Sequence, residues 1–217
     1  MRVFLILGAP ASGKGSLAKL VEENFALTHV STGDILRDSV SKGTELGRRV
    51  KASLSSGALV DDDTVNGIVF ARLQNEAGDV LFDGYPRTLK QAVALDGFLA
   101  GRGSQIRLAV YVDVPMDDLE MRVVGRSVCS NGACGAIYHS SRKKPLSDGV
   151  CDICKNPLKQ RPDDTHEAFK TRMDEFNASY LPMLGHYRGK PCFRQVDGTG
   201  LPDEVFIAAS GLYKEHV

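Results

Sequence analysis

The sequence predicts an α/β fold in three layers: a central parallel sheet of about five strands, with helices packed on both faces. Short apolar runs recur along the chain, VFLIL (3–7), DVLF (79–82), LAVYVDV (108–114) and CFRQV (192–196), each of a length that suits a buried strand. Helix-period patterns fill the intervals, and strands that alternate with helices build parallel sheets covered on both sides. A glycine-rich joint follows the first run and opens the first helix. Ligands of such sheets bind beyond the carboxyl ends of the strands, so the residues just after each strand carry the functional expectation.

The first joint, LGAPASGKGS (7–16), has the spacing Gly8-x4-Gly13-Lys14. Its glycines let the backbone curl N–H groups inward, and the helix that follows adds its positive dipole end, which makes a phosphate loop. The fold is therefore a P-loop three-layer fold, and Gly8, Ala11, Ser12, Gly13, Lys14, Gly15 and Ser16 are candidate triphosphate ligands. Gly15 stands where a hydroxyl residue normally follows the lysine, so Mg2+ is expected to keep mostly water ligands. The dinucleotide pattern Gly13-x-Gly15-x-x-Ala18 is a poorer fit, since that turn should start at the strand end. The helix over 14–24 carries apolar positions at Leu17, Leu20 and Val21, with Phe25 just beyond.

HVSTGDILR (29–37) and LFDGYPRT (81–88) follow the next two strands, each bringing an acidic residue and an arginine to the same edge. Asp83 suits a magnesium-bound water, and Arg37 and Arg87 suit a second phosphate. Two stretches break the alternation. Residues 31–61 read as short helices without a strand, and 127–163 as loop; both are inserts on a core made of 1–30, 62–126 and 164–217.

Beyond the third run, Arg122 and Arg126 are expected four apart on one helix face, where like charges repel until a polyphosphate neutralises them. Farther on, Phe169, Met173, Phe176 and Tyr180 form an apolar stripe, with Arg172 on its shoulder about 60° away. Arg161 precedes the acidic pair Asp163 and Asp164, which suits a helix N-terminus.

Four of the five cysteines lie in the second insert, as Cys129-x4-Cys134 and Cys151-x2-Cys154. Four thiolates at this spacing suit a closed, structural Zn2+ site in a segment too small for its own core. Disulfides, a redox pair at Cys151 and Cys154, and a zinc finger that grips nucleic acid through Arg142, Lys143 and Lys144 are the alternatives; those three cations otherwise read as a solvated loop tip. Cys192 reads as a buried thiol. Lys+Arg and Asp+Glu are both 27, so a general nucleic-acid or membrane-surface binder is not expected. The five apolar residues before Gly8 are too few for a signal-peptide core, and a cytoplasmic monomer is expected.

Together, GAPASGKGS, STGDILR, FDGYPRT with Gln91, MRVVGR, QRPDDT and VDGT resemble the adenylate kinases, the nucleoside monophosphate kinase family, in their long-lid form. The resemblance spans essentially the whole chain. It implies reversible transfer of the γ-phosphoryl group of Mg·ATP to AMP, giving two ADP, with flaps closing over each nucleotide. It implies that Thr32, Arg37, Ala58, Leu59, Val60, Gly84, Arg87, Gln91, Arg161 and Arg172 bind AMP. Arg122, Arg126 and Gly200 would join the phosphate loop around ATP. Lys14, Asp83, Arg87, Arg126, Arg161 and Arg172 would serve catalysis, and Asp163 and Asp164 would hold the hinge. Ala11 stands where the family often has Gly, and Tyr85 where Phe is common. A GTP:AMP phosphotransferase shares most of these motifs, and a zinc-dependent nucleic-acid-binding protein with a residual nucleotide site is the alternative from another class.

Overall fold

The computed structural model describes residues 1–162 and 164–217. A five-stranded parallel sheet forms its centre, built from β1 (Val3–Gly8), β2 (Leu27–Ser31), β3 (Asp79–Asp83), β4 (Ile106–Asp113) and β8 (Phe193–Asp197), in the order β2-β3-β1-β4-β8. All six residues of β1 are buried, as the central strand of a sheet covered on both faces must be. The chain fills one side of β1 and then crosses to the other. That reversal opens a crevice at the carboxyl ends of the strands, where the phosphate loop lies.

Helices α1 (Lys14–Asn24), α4 (Asp62–Gln74), α5 (Leu89–Ala100), α6 (Met116–Val124) and α9 (Pro202–Lys214) belong to the core, as do α7 (His166–Glu175) and α8 (Leu181–Arg188). A π-helical turn, Phe176–Tyr180, joins the last two. The phenylalanine–methionine–tyrosine stripe is buried at Phe169, Met173, Phe176 and Tyr180, and Phe176 stacks on Tyr180 with centroids 4.8 Å apart.

The first insert contains α2 (Thr32–Ser41) and α3 (Glu45–Ser56), capped by the side chains of Ser31 and Thr44. The second is a small antiparallel sheet of β5 (Arg126–Cys129), β6 (Ile137–His139) and β7 (Leu158–Lys159), in the order β6-β5-β7.

One expectation about the helices is overturned. Arg122 and Arg126 do not share a helix face: α6 ends at Val124, and Arg126 opens β5 opposite His139. The chain turns at Gly125, which follows the helix, and glycine suits that position because a side chain there would lie 2.4 Å from His139 Nε2. The repulsion argued from their spacing therefore does not apply. Cys192 is half-buried rather than buried, packed against the edge of the core.

Candidate active site

Every nucleotide-site residue expected from the sequence lines one cleft of about 1430 Å³ between the sheet edge and the two inserts. Single-ligand pockets span about 300–1,000 Å³, so this cleft has room for two nucleotides.

The phosphate loop forms its floor. Gly13 caps α1 at φ 96, a left-handed conformation that glycine adopts without penalty. Ala11 also sits at positive φ, 63, where its Cβ costs about 1 kcal/mol. Lys14 Nζ crosses the loop to donate to the Ala9 carbonyl at 2.6 Å. Burial lowers its pKa to about 8, with Arg87, Arg126 and Arg172 pushing the same way and Asp83 opposing them. Gly8 N–H donates at 2.7 Å to the hydroxyl of Tyr180, on the π-turn.

Cations converge from three directions. Arg87 comes from the loop after β3, Arg37 from α2, Arg126 from β5, Arg161 from the end of the second insert and Arg172 from α7. Burial, with neighbouring arginines acting in the same direction, lowers the pKa of Arg161 to about 10 and of Arg172 to about 9. Arg87 is lowered too, by burial and then by Arg37. These groups remain charged at neutral pH, so the shifts mark mutual repulsion in a poorly solvated space.

The carboxylates answering them among the described residues are few. Asp34 lies 2.5 Å from Arg37 and 3.7 Å from Arg161. Burial would raise its pKa, but the two arginines together hold it below the usual range. Asp164, with its side chain buried, accepts from Arg126 Nε at 2.8 Å and lies 3.8 Å from Arg172. Asp83 faces His29 Nε2 at 3.8 Å. Burial favours its neutral form, but His29 and Lys14 together keep its carboxyl below the ordinary range. A charged carboxylate on the cleft floor fits a hydrated Mg2+. Asp163 lies outside the described residues.

On the α2–α3 side, Thr32 Oγ1 donates to the Gly84 carbonyl at 3.0 Å. Ala58, Leu59 and Val60 line the wall between α3 and α4. Gln91 is 2% exposed and held at both ends: its Oε1 accepts from Arg87 N–H at 2.7 Å, and its Nε2 donates to Asp62 at 2.8 Å. It thus fixes the backbone of Arg87 as well as lining the cleft. On the opposite side, Arg122 donates to the carbonyls of Ser12 (3.4 Å) and Thr199 (3.1 Å), beside Gly200.

The four insert cysteines are all free, and their sulfurs lie within 4.8 Å of one another, with Cys129–Cys154 at 3.3 Å and Cys134–Cys151 at 3.7 Å. A disulfide is about 2.05 Å long. Four sulfurs around Zn2+ at about 2.3 Å stand about 3.8 Å apart, so the cluster fits that ion. Each pair ends in the same bend, with Gly135 at φ 51 after Cys134 and Lys155 at φ 60 after Cys154. Backbone amides of Cys154 and Ile153 face the Cys151 sulfur and favour its thiolate.

Several site residues were not legible in the sequence. Arg142, read as part of a solvated tip, instead reaches across the cleft to the carbonyls of Thr199 and Gly200. Lys19, on α1, donates to the carbonyls of Cys134 (2.8 Å) and Gly135 (2.6 Å), tying the cysteine cluster to the core. For Tyr180 the signal was a hydroxyl within a buried aromatic stripe, and for His29 a polar side chain in a strand flanking Asp83. Arg142 had no local signal, since its partners are more than fifty residues away.

The adenylate kinase family model matches residues 6–191. The chain is 41% identical over 204 residues to an adenylate kinase of Clostridium acetobutylicum, covering 93% of this chain and 94% of that protein. It is 42% identical over 208 residues to an adenylate kinase of Clostridium botulinum, covering 95% of each. An adenylate kinase of Clostridium tetani is 41% identical over 204 residues.

Proposed function

This chain belongs to the adenylate kinase family and is a nucleoside monophosphate kinase, and on that premise we propose how its residues divide the work. The donor triphosphate lies along the loop from Gly8 to Ser16, with Lys14 on its distal phosphates and Arg122 against its base. AMP lies between Thr32, Arg37, the 58–60 wall and Gln91, with Arg87 on its phosphate. Arg126, Arg161 and Arg172 surround the phosphoryl group as it moves between them.

The observation that carries this reading is the meeting of Lys14, Arg37, Arg87, Arg126, Arg161 and Arg172 in one cleft, where cations outnumber carboxylates among the described residues. Phosphoryl transfer asks mainly for in-line alignment and for charge on the equatorial oxygens of the moving group. Planar guanidinium groups supply both through paired hydrogen bonds. The acceptor phosphate is already anionic, so no general base is required. Residues 31–61 and 127–163 act as flaps on the core; closing them excludes water, which would compete with AMP for the phosphoryl group.

Mg2+ would arrive with ATP, and Asp83 would hold one of its waters; the ion neutralises phosphate charge when bound. Zn2+ would be held by Cys129, Cys134, Cys151 and Cys154, with no open position, and would stiffen the second insert. A cytoplasmic monomer acting on ATP, AMP and ADP is the simplest form of this enzyme. No helix among the described residues is long and apolar enough to cross a membrane. Arg142 turns into the cleft, which weakens the case for a nucleic-acid-gripping tip.

The test is ADP formation from Mg·ATP, alone and with AMP, GMP, CMP or UMP. We expect two ADP per AMP consumed and little ATP loss without a monophosphate. ATP loss independent of any monophosphate would overturn the assignment of the second site.

A further inference from the structure

Near the donor end of the cleft, two arginines from different parts of the chain meet on one carbonyl oxygen. Arg122, on α6, donates to Thr199 O at 3.1 Å; Arg142, on the loop after β6, donates to the same atom and to Gly200 O at 3.2 Å. Arg122 feels its neighbour: burial lowers its pKa, and Arg142 lowers it further. Both ends of the contact are braced. Gly198 N–H donates to Asp113 O at 2.7 Å and Thr199 N–H to Asp197 Oδ1 at 2.8 Å, which fixes the carbonyl edge to the ends of β4 and β8. The loop bearing Arg142 closes on His139, whose Nδ1 accepts from Ser141 N–H (3.1 Å) and Arg142 N–H (3.2 Å), while His139 N–H donates to Lys143 O at 2.8 Å. Arg142 is therefore presented by an ordered turn.

Two carbonyl oxygens are pure acceptors. Bare, such an edge receives the 6-amino group of adenine and repels a purine that carries oxygen at that position. A guanidinium laid across the carbonyls reverses the polarity, because it has five N–H donors and the carbonyls use only part of them. Its remaining donors match the O6 and N7 acceptors of guanine, the pairing in which arginine reads that base elsewhere.

The geometry points to Arg142 as a specificity-determining residue of the donor-base subsite, one that admits 6-oxopurine nucleoside triphosphates as phosphoryl donors alongside ATP. With the guanidinium over the carbonyls, the subsite offers donors to guanine or hypoxanthine; with it swung aside, the carbonyls are open to adenine. This inference rests on the proposed placement of the donor base against Arg122, whose guanidinium lies on the Thr199 carbonyl.

The experiment compares Mg·ATP, Mg·GTP and Mg·ITP as donors to saturating AMP, in the full chain and in R142A and R142K. The readout is the ratio of kcat/KM for each 6-oxopurine donor to that for ATP. It is internally normalised, so a loss of fold or of lid stability does not move it. The unsubstituted protein should use GTP and ITP within about a hundredfold of ATP, and R142A should lower both ratios by about tenfold or more, as expected for one lost bidentate pair. R142K keeps the charge but not the planar fork, so its ratios should fall as well. Discrimination against GTP by about 10⁴-fold in the unsubstituted protein, as in a site built for one hydrogen-bonding pattern, would overturn the inference. So would identical ratios in R142A. Either result with intact AMP-dependent ATP turnover leaves the kinase assignment standing, whereas no AMP-dependent turnover with any donor overturns that assignment itself.

Discussion

Lys14 is held in two ways at once, hydrogen-bonded to its own loop at Ala9 and lowered by burial to about 8. An amine that loses its proton near pH 8 in the free protein grips the triphosphate less well above that value, so kcat/KM for ATP should fall as pH rises from about 7 to 9. Bound phosphate charge favours the protonated form, so kcat should fall later than kcat/KM. The stability effect has the opposite sign. Between about pH 8 and the ordinary lysine range the unfolded chain binds the extra proton, so the penalty for charging Lys14 shrinks and its contribution to stability improves as pH rises. Lys14→Met should cut kcat by about 10²–10³, the usual cost of removing one preorganised charge-stabilising group. Arg87→Ala should raise KM for AMP at least tenfold; near-normal kinetics in that variant would remove the monophosphate site.

The second insert stands or falls with its cysteines at the level of elements. Its strands are at most four residues long, and its own buried cluster consists of Cys129, Ala136, Tyr138 and Cys151. So little apolar area cannot offset the entropy of ordering the segment without a staple. Metal analysis of purified protein should find about one Zn2+ per chain, and chelation or Cys151→Ser should lower the melting temperature. Absence of metal with full thermal stability would contradict the staple. Where this insert joins the core, Arg126 of β5 and Arg172 of α7 share Asp164, whose side chain is fully buried. Asp164→Asn removes the buried carboxylate that both guanidinium groups face and should cost about 3 kcal/mol, read by denaturant unfolding.

Across the whole molecule, core, first insert and second insert each contribute cations to one cleft, where neighbouring guanidinium groups lower one another's pKa and a polyphosphate would add counter-charge. Inorganic tripolyphosphate should therefore raise the melting temperature and compete with ATP. At a hundredfold excess over its Kd the stabilisation is about 2.7 kcal/mol, and it should weaken with added salt. A melting temperature indifferent to tripolyphosphate would mean that the repulsion is not relieved by the ligand's charge.

The layered sheet, the phosphate loop and the paired cysteines were legible in the sequence, because each depends on spacing within a short segment; the cleft arginines were named through the family resemblance, since they come from separate elements. Periodicity places apolar faces, and glycines mark where the backbone must curl. Arg126 was misread as helical because helix ends are weakly encoded, and the close approach of His139 that favours glycine at 125 is a tertiary contact. Arg142, Lys19, Tyr180 and His29 gained their site contacts only when distant strands and loops were brought side by side. By itself the sequence determined which groups the chain could bring to a phosphate. Tertiary structure decided which of them share a carbonyl, a carboxylate or a hydroxyl, since hydrogen bonds and charge interactions depend on distances that chain spacing does not set.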